Sequence, residues 1–216
     1  AQLLLTHAEV SDRRRYLNIR AALDAMLDLG AVPIINENDT VATEELQFGD
    51  NDQLAALVAP LVGADLLVLL TDVEGLLDEH KRRIPVVTDF ESIAPLIWAK
   101  DNALSLGGMS SKVSAAHKAC QVGLPVVIGP ARDPEALPKI AKGEDIGTLF
   151  LPAGAALASR KYWIAYTLKP RGTLTVDAGA VRAVLADKRS LLSAGIVSVR
   201  GVLDRKSTRL NSSHKT

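Results

Sequence analysis

Apolar residues recur along the chain in two forms, short unbroken runs and longer stretches with a three- and four-residue spacing. Leu54, Leu57, Val58 and Leu61 follow the second form, which predicts a helix with one buried face. The run at 66–70 follows the first form, which is typical of parallel strands buried on both faces. Further strands are predicted at 3–6, 32–35, 124–128 and 162–166, and further helices after Ser11 and at 93–97, 112–122 and 137–141.

These strands and helices alternate, and the helices are 10–15 residues or shorter. Alternation of this kind indicates parallel strands joined by helical crossovers, with helices on both faces of the sheet. The predicted fold class is therefore α/β, a three-layer sandwich with a mainly parallel central sheet. A possible small hairpin at 40–48 is the least regular part of the pattern.

Composition and charge narrow the function classes. The chain of 216 residues is 48% hydrophobic and carries 25 basic and 25 acidic side chains, so its formal net charge is zero. This neutrality argues against an electrostatic binder of nucleic acid or membrane surfaces. The single cysteine, Cys120, rules out an intrachain disulfide and a zinc site built on cysteines. Since no apolar run approaches the roughly 20 residues of a membrane span, we expect a cytoplasmic protein without membrane contact.

The two ends differ from the rest of the chain. Residues 204–216 contain four Lys or Arg residues, several Ser and almost nothing apolar. The string D-R-K-S-T-R-L-N-S-S-H is similar to a translated sequencing adapter, so we expect a non-native tail there, the alternative being a disordered basic tail. The start, A-Q-L-L-L-T-H, has no Met and no basic region before an apolar one. We expect that it enters a domain partway through a strand.

Polar clusters follow two of the predicted strands and open one helix. Asn36 and Asp39 follow the strand at 32–35, Thr71 and Asp72 follow the run at 66–70, and 50–52 reads Asp-Asn-Asp. Ligands of open parallel sheets bind beyond the carboxyl ends of the strands. Turns and helix caps use the same residue types. Capping is the better interpretation for Asp50 alone, whereas the clusters together favour a binding site.

The segment at 106–112, L-G-G-M-S-S-K, opens another helix. Glycines let a ligand approach the backbone, and a helix N-terminus offers free N–H groups to an anion. Lys112 adds a positive charge suited to phosphate. The spacing differs from that of a Walker A loop, and no G-x-G-x-x-G is present. Taken alone, this segment is better interpreted as an ordinary loop.

The order and spacing of five motifs together resemble the glutamate 5-kinase family of the amino-acid kinase superfamily. The motifs are V-P-I-I-N-E-N-D-T-V, F-G-D-N-D-Q-L-A-A-L-V-A, A-D-L-L-V-L-L-T-D-V-E-G-L, G-G-M-S-S-K and G-T-L-F. The resemblance covers roughly 2–203. It implies an N-terminally truncated kinase domain at 1–171. The string R-G-T-L-T-V-D-A-G-A-V-R-A-V-L is similar to the start of the PUA domain that many of these kinases append, which implies the beginning of a small β-rich domain at 172–203.

The resemblance also implies roles for individual residues. Asn36, Asp39 and Asn51 match glutamate-binding positions, Lys112 matches a catalytic lysine, and Asp52 matches the aspartate that orients it. The positions matching nucleotide-binding stretches are Thr71, Asp72, Leu106, Gly107, Gly108, Met109, Ser110, Ser111 and Lys112. Leu106 departs from the family, which usually has Thr there, and a hydroxyl contact to the nucleotide would be lost.

The reaction implied is transfer of the ATP γ-phosphate to the γ-carboxylate of L-glutamate, with Mg²⁺, giving glutamyl 5-phosphate. This is the first step of proline biosynthesis. A carboxylate is already ionised at neutral pH, so catalysis consists of positioning and charge neutralisation. The family further implies feedback inhibition by proline, a downstream glutamyl phosphate reductase and a homo-oligomer at full length. Family members carry a phosphate-contacting Gly loop, a second lysine and a substrate-binding Ser before this region, so we expect the chain by itself to be inactive.

Two other functions are weighed against this one. Another amino-acid kinase, acting on acetylglutamate, aspartate or uridylate, would share Thr71 and Asp72 but lack the paired N-E-N-D and G-D-N-D motifs. An RNA-binding module is suggested by the PUA-like start. RNA binding is the weaker alternative, because 173–203 is too short to close that barrel and the neutral composition supplies no basic face.

Overall fold

The computed structural model describes residues 1–40, 50–98, 108–153, 157–168 and 172–201. The chain divides into two compact units, Ala1–Thr167 and Leu168–Thr216. The hairpin considered at 40–48 and the tail at 204–216 lie outside the described residues, apart from Thr40. The domain boundary inferred after 171 stays a prediction and falls shortly after the end of the first unit.

The first unit alternates strands and helices over most of its length. Asp12 caps the longest helix, since its Oδ1 accepts a hydrogen bond from Arg15 N at 2.9 Å. The strands are β1 (Gln2–Leu5), β2 (Ile34–Glu37), β3 (Leu67–Thr71), β4 (Val86–Val87), β5 (Val126–Pro130) and β6 (Thr148–Phe150). The helices are α1 (His7–Ser11), α2 (Arg13–Asp28), α3 (Asn51–Val58), α4 (Phe90–Trp98), α5 (Met109–Cys120), α6 (Ala136–Ala141) and α7 (Ser159–Thr167).

The described strands of this unit form two sheets. β1 and β2 pair in parallel, with Gln2 opposite Ile34 and Leu5 opposite Glu37. The second sheet has the order β3-β5-β6-β4, in which β3–β5 and β4–β6 are parallel and β5–β6 is antiparallel. The α/β fold class is confirmed, and parallel pairing predominates here as expected. The division into two sheets and the reversed β6 were not predicted.

The central strand β5 is buried along its whole length and has helices on both sides. Val126 and Ile128 pack in one core cluster with Ala115 and Ala119 of α5. Gly129 points to the other face, where a Cβ would lie 3.1 Å from the Ile140 side chain of α6. The small Ala115 and Ala119 side chains allow α5 to pack closely on this face of β5.

The predicted strand at 162–166 is wrong, because this segment lies in helix α7. Tyr162 and Tyr166 have the helical i, i+4 spacing, and their ring centroids are 4.9 Å apart. Tyr162 is 2% exposed, and its hydroxyl donates to the Ala56 carbonyl oxygen at 2.8 Å. The aromatic residues suggested strand propensity, but packing of one helical face against α3 decides the local structure.

The second unit contains β7 (Gly172–Val176), α8 (Ala178–Leu185), a 3₁₀ turn (Ser193–Gly195) and β8 (Ile196–Gly201). β7 and β8 pair antiparallel. Asp177 caps α8, since its Oδ1 accepts from Ala180 N at 2.7 Å. The assignment of this unit to the start of a PUA domain stays a prediction. In neither unit do the described residues include a helix long and apolar enough to span a membrane.

Candidate active site

Helices α3 and α5 pack against each other, and their N-terminal turns carry most of the predicted site residues. Asp50 is the N-cap of α3, and its Oδ1 accepts from Gln53 N at 2.9 Å. Gly108 is the N-cap of α5. Capping of α3 by Asp50 agrees with the interpretation made from its sequence position. Because α3 packs on α5, the N-termini of the two helices are neighbours. Each helix N-terminus carries the positive end of the helix dipole.

The predicted catalytic residues Asp52 and Lys112 form an ion pair between these helices. Lys112 Nζ lies 2.8 Å from Asp52 Oδ2 and 3.0 Å from Oδ1. Both side chains are largely shielded, with exposed fractions of 15% and 17%. A shielded pair is screened less by salt than a surface pair. The lysine amine is therefore fixed at the start of α5 rather than free to move in solvent.

A ring of hydrogen bonds lies beside this ion pair. The Ser111 hydroxyl donates to Asp50 Oδ2, and Gln53 Nε2 donates to Ser111 O at 3.0 Å and to Ser111 Oγ at 3.2 Å. Lys118 Nζ donates to Gln53 Oε1. Burial lowers the pKa of the Lys118 amine, and the charge of Asp50 opposes that shift.

Gln53 and Lys118 were not singled out in the sequence. They are polar positions within two apolar helical patterns, and that interruption is the signal which could have identified them.

The start of α5 contains Met109, Ser110 and Ser111, which the sequence placed before the helix. The helix therefore begins three residues earlier than predicted, directly after the Gly-Gly pair. Free N–H groups in a first turn, together with a lysine in the second, are the features of an anion-binding helix end. Leu106 and Gly107 lie outside the described residues.

Thr71 and Asp72 lie at the carboxyl end of β3. Thr71 is 8% exposed, its carbonyl oxygen accepts from Ala131 N at 2.6 Å, and its hydroxyl donates to Asp72 Oδ1 at 3.3 Å. Asp72 is exposed. The backbone of Thr71 is thus fixed by the turn after β5, while the Asp72 carboxylate faces solvent. This is the strand end at which ligands of parallel sheets bind.

The predicted glutamate-binding residues lie on β2, on the turn after it and at the start of α3. Asn36 belongs to β2 and Asp39 to the turn, and both are exposed. Asn51 is the first residue of α3 and lines a groove together with Pro33 and Ile35 of the β2 segment. The structure thus brings the β2 segment and the N-terminus of α3 to one groove, in which Asn51 is the polar lining residue and which Asn36 and Asp39 do not line. The glutamate-binding role of these three residues stays a prediction.

Metal-binding side chains are dispersed in this part of the protein. Within the described ranges, no three His, Cys, Asp or Glu residues are grouped closely enough to hold a metal ion. A divalent cation at this site would therefore need most of its ligands from phosphate and water, which is usual for Mg²⁺.

Comparison with known proteins gives one family and many relatives. The amino acid kinase family matches residues 1–130. A glutamate 5-kinase of Desulfotalea psychrophila is 48% identical over 212 residues, covering 95% of this chain and 56% of that protein. A glutamate 5-kinase of Myxococcus xanthus is 47% identical over 212 residues, with the same two coverages. The chain thus spans about half the length of the curated relatives it matches.

Among solved structures, the chain is similar to carbamate kinase from Giardia lamblia bound to AMP-PNP. The TM-score is 0.45 at 20% sequence identity, over 61% of this chain and 48% of that one.

Proposed function

The chain belongs to the amino acid kinase family, and we propose that it is part of a glutamate 5-kinase. The enzyme transfers the γ-phosphoryl group of ATP to the γ-carboxylate of L-glutamate. The observation that carries the proposal is the shielded Lys112–Asp52 pair at the start of α5. The identity of 45–48% to glutamate 5-kinases over 95% of the chain supports the choice of acceptor.

Lys112 supplies the charge that this chemistry requires. Transfer of a phosphoryl group places negative charge on its oxygens, and a fixed ammonium group stabilises that charge without reorganising. Asp52 holds the Lys112 amine in place before substrate arrives. The γ-carboxylate attacks the γ-phosphorus, the bond to the ADP oxygen breaks, and no proton has to be removed from the nucleophile.

The groove at the start of α3 is the proposed glutamate site. Asn51 lines it, Asn36 belongs to the adjoining β2, and Asp39 lies in the turn after that strand. Amide N–H groups suit the carboxylates of glutamate, and the Asp39 carboxylate suits its ammonium group. Asn51 directly precedes Asp52 in α3, so the proposed glutamate site adjoins the ion pair.

ATP is proposed to bind between the start of α5 and the carboxyl end of β3. The first-turn N–H groups after Gly108, the Ser110 hydroxyl and Lys112 suit phosphates. Because α5 leads into β5, which pairs in parallel with β3, we place its start at the edge of the sheet where Thr71 and Asp72 follow β3. Mg²⁺ fits this donor set only when it is carried on the phosphates, because the described side chains offer no cluster to hold it. When bound, it would offset charge on the nucleotide.

The remaining parts of the proposal follow from the same relatives. The product is an acyl phosphate, which hydrolyses readily and needs prompt consumption by a glutamyl phosphate reductase. We further propose inhibition by proline at the glutamate site, a homo-oligomer in the complete protein and a cytoplasmic location. The second unit is not proposed to bind RNA.

A substrate panel tests the acceptor. The protein expressed from its complete gene is assayed for ADP release with glutamate, N-acetylglutamate, aspartate and uridylate at equal concentrations. Glutamate is expected to give the highest kcat/KM by a wide margin. A higher kcat/KM with any of the other three acceptors would refute the proposed acceptor while leaving the family assignment intact.

A further inference from the structure

A second lysine of α5 reaches across to α3 beside the proposed catalytic pair. Lys118 lies six residues after Lys112, and its Nζ donates to the Oε1 of Gln53, in the first turn of α3. Lys118 is half-buried, and its amine is attracted by the negative charge of the Asp50 carboxylate. Withdrawing a charged amine from solvent is unfavourable unless it is hydrogen-bonded, so the bond to Gln53 constrains where the Lys118 side chain can lie.

The donor Lys118 fixes the orientation of the Gln53 amide. An ammonium group can only donate, so the amide oxygen must face Lys118 and the NH₂ group must face the other way. There it donates to Ser111 O and Oγ at 3.0 and 3.2 Å. The Ser111 hydroxyl in turn donates to Asp50, whose other oxygen accepts from Gln53 N. Gln53, Ser111 and Asp50 thus form a closed ring that joins the first turns of α3 and α5, and Lys118 donates to it from further along α5.

This ring is adjacent to the ion pair on both helices. Gln53 directly follows Asp52, and Ser111 directly precedes Lys112. Any change in the register of the two first turns would move the Lys112 amine relative to the Asp52 carboxylate. We propose that Lys118, acting through Gln53, is a positioning residue that holds Lys112 in place. The catalytic meaning of this placement rests on the proposed function, whereas the placement itself does not.

Chemical labelling tests the placement without any activity. The 216-residue chain is treated with limiting acetic anhydride, and acetylation of each lysine is followed by mass spectrometry. Lys118→Met keeps the length and helix propensity of the side chain but cannot donate. We expect the acetylation rate of Lys112 to rise several-fold in this variant. Lys118→Arg, which still donates to Gln53, is expected to keep the original rate.

Two further variants test the role of Gln53 and control for a general loss of structure. Gln53→Leu removes the relay and should raise Lys112 acetylation as Lys118→Met does. Lys139→Met is the matched control, because Lys139 is also a half-shielded lysine, paired with Asp133 at 2.8 Å, but on α6. It should leave Lys112 acetylation unchanged.

Kinetics of the protein from its complete gene test the consequence. Lys118→Met should lower kcat roughly 10-fold or more, because small displacements of reacting groups are costly, and leave the glutamate KM within about two-fold. Lys118→Arg should restore kcat. In a Lys112→Ala background, Lys118→Met should have no further effect on kcat.

The outcomes distinguish the placement of Lys112 by Lys118 from the catalytic role of that placement. Selective exposure of Lys112 together with the kcat loss supports the positioning role. Unchanged Lys112 labelling in both Lys118→Met and Gln53→Leu would overturn it, and so would an equal rise at every lysine. If labelling responds as expected but the unmodified enzyme phosphorylates no glutamate, the proposed function fails and the placement of Lys112 stands.

Discussion

Lys112 has two partners, the Asp52 carboxylate that holds it in the free protein and the phosphoryl group that it neutralises in the proposed reaction. The pair is bidentate, at 2.8 and 3.0 Å, and shielded from solvent. Sequence similarity suggested both residues, but their contact joins positions 60 residues apart. Only the packing of α3 on α5 brings them together.

Replacement of Lys112 by Ala is therefore expected to act on the chemical step. In the complete protein, kcat should fall by about 10²–10³-fold, as for loss of one preorganised charge-stabilising group. The glutamate KM should change little, since the lysine contacts the transferring group. Steady-state kinetics beside a Lys139→Ala control make the measurement. An effect confined to KM would assign Lys112 to substrate binding instead.

Asp39 is expected to show the opposite pattern. It is exposed in the turn after β2, whose residue Ile35 lines the proposed glutamate groove, and has no proposed contact with the phosphoryl group. Asp39→Ala should raise the glutamate KM more than it lowers kcat and should weaken inhibition by proline. Glu144→Ala, an exposed acidic position after α6 and outside the proposed groove, is the control. A kcat loss at unchanged KM would contradict the assignment.

Cys120 gives a residue-level prediction for pH. The thiol is 5% exposed, its Sγ lies 3.7 Å from the Phe150 carbonyl oxygen, and burial raises its pKa from about 9 to about 11. The folded chain therefore keeps a proton that the unfolded chain releases. Its contribution to stability is complete below about pH 9 and is lost as pH rises towards 11.

Denaturant unfolding at pH 8, 9 and 10 should show a steeper loss of stability in the unmodified chain than in Cys120→Ala. A parallel pH dependence of the two proteins would show that the thiol ionises normally.

At the scale of elements, packing decided what local pattern could not. The segment at 162–166 has strand-forming residues yet forms part of α7, because Tyr162 and Trp163 each donate to a backbone carbonyl of another helix segment. The helix at α3 was predicted from its apolar spacing, which the structure confirms with Leu54, Leu57 and Val58 buried. Strong periodicity was thus sufficient, and propensity alone was not.

The turn before β6 provides a stability test of an element. Gly147 has φ +72°, and a Cβ there would lie 2.5 Å from the Ile128 carbonyl oxygen of β5. Gly147→Ala should destabilise the chain by about 1–3 kcal/mol, from backbone strain and displacement of the strand.

Gly143 is a matched control for this change, because it has φ +78° but no described atom within 4 Å of a Cβ. Gly143→Ala should therefore cost about 1 kcal/mol from conformation alone. Equal midpoints of thermal unfolding for the two variants would show that β5 and β6 do not approach as closely as described.

At the scale of the whole molecule, the α/β class followed from the alternation of apolar runs and helical stripes. The convergence of polar clusters at strand ends, expected from the geometry of parallel sheets, stays a prediction, because β2 and β3 belong to different sheets. The contact between Gln53 and Lys118 could not be predicted, because it joins positions 65 residues apart and Lys118 lies outside the quoted motifs. The antiparallel β6 was also unpredictable, since three residues are too few to set a direction from sequence.

Trapping of the acyl phosphate tests the central claim most directly. The protein from its complete gene is incubated with ATP, Mg²⁺, glutamate and hydroxylamine, and glutamyl hydroxamate is quantified beside the Lys112→Ala variant and the 1–203 fragment. We predict glutamate-dependent hydroxamate from the complete protein alone, with at least a 100-fold loss in the variant and none from the fragment. A complete, folded protein that forms no hydroxamate, or a Lys112→Ala variant that forms as much as the unmodified enzyme, would contradict the account.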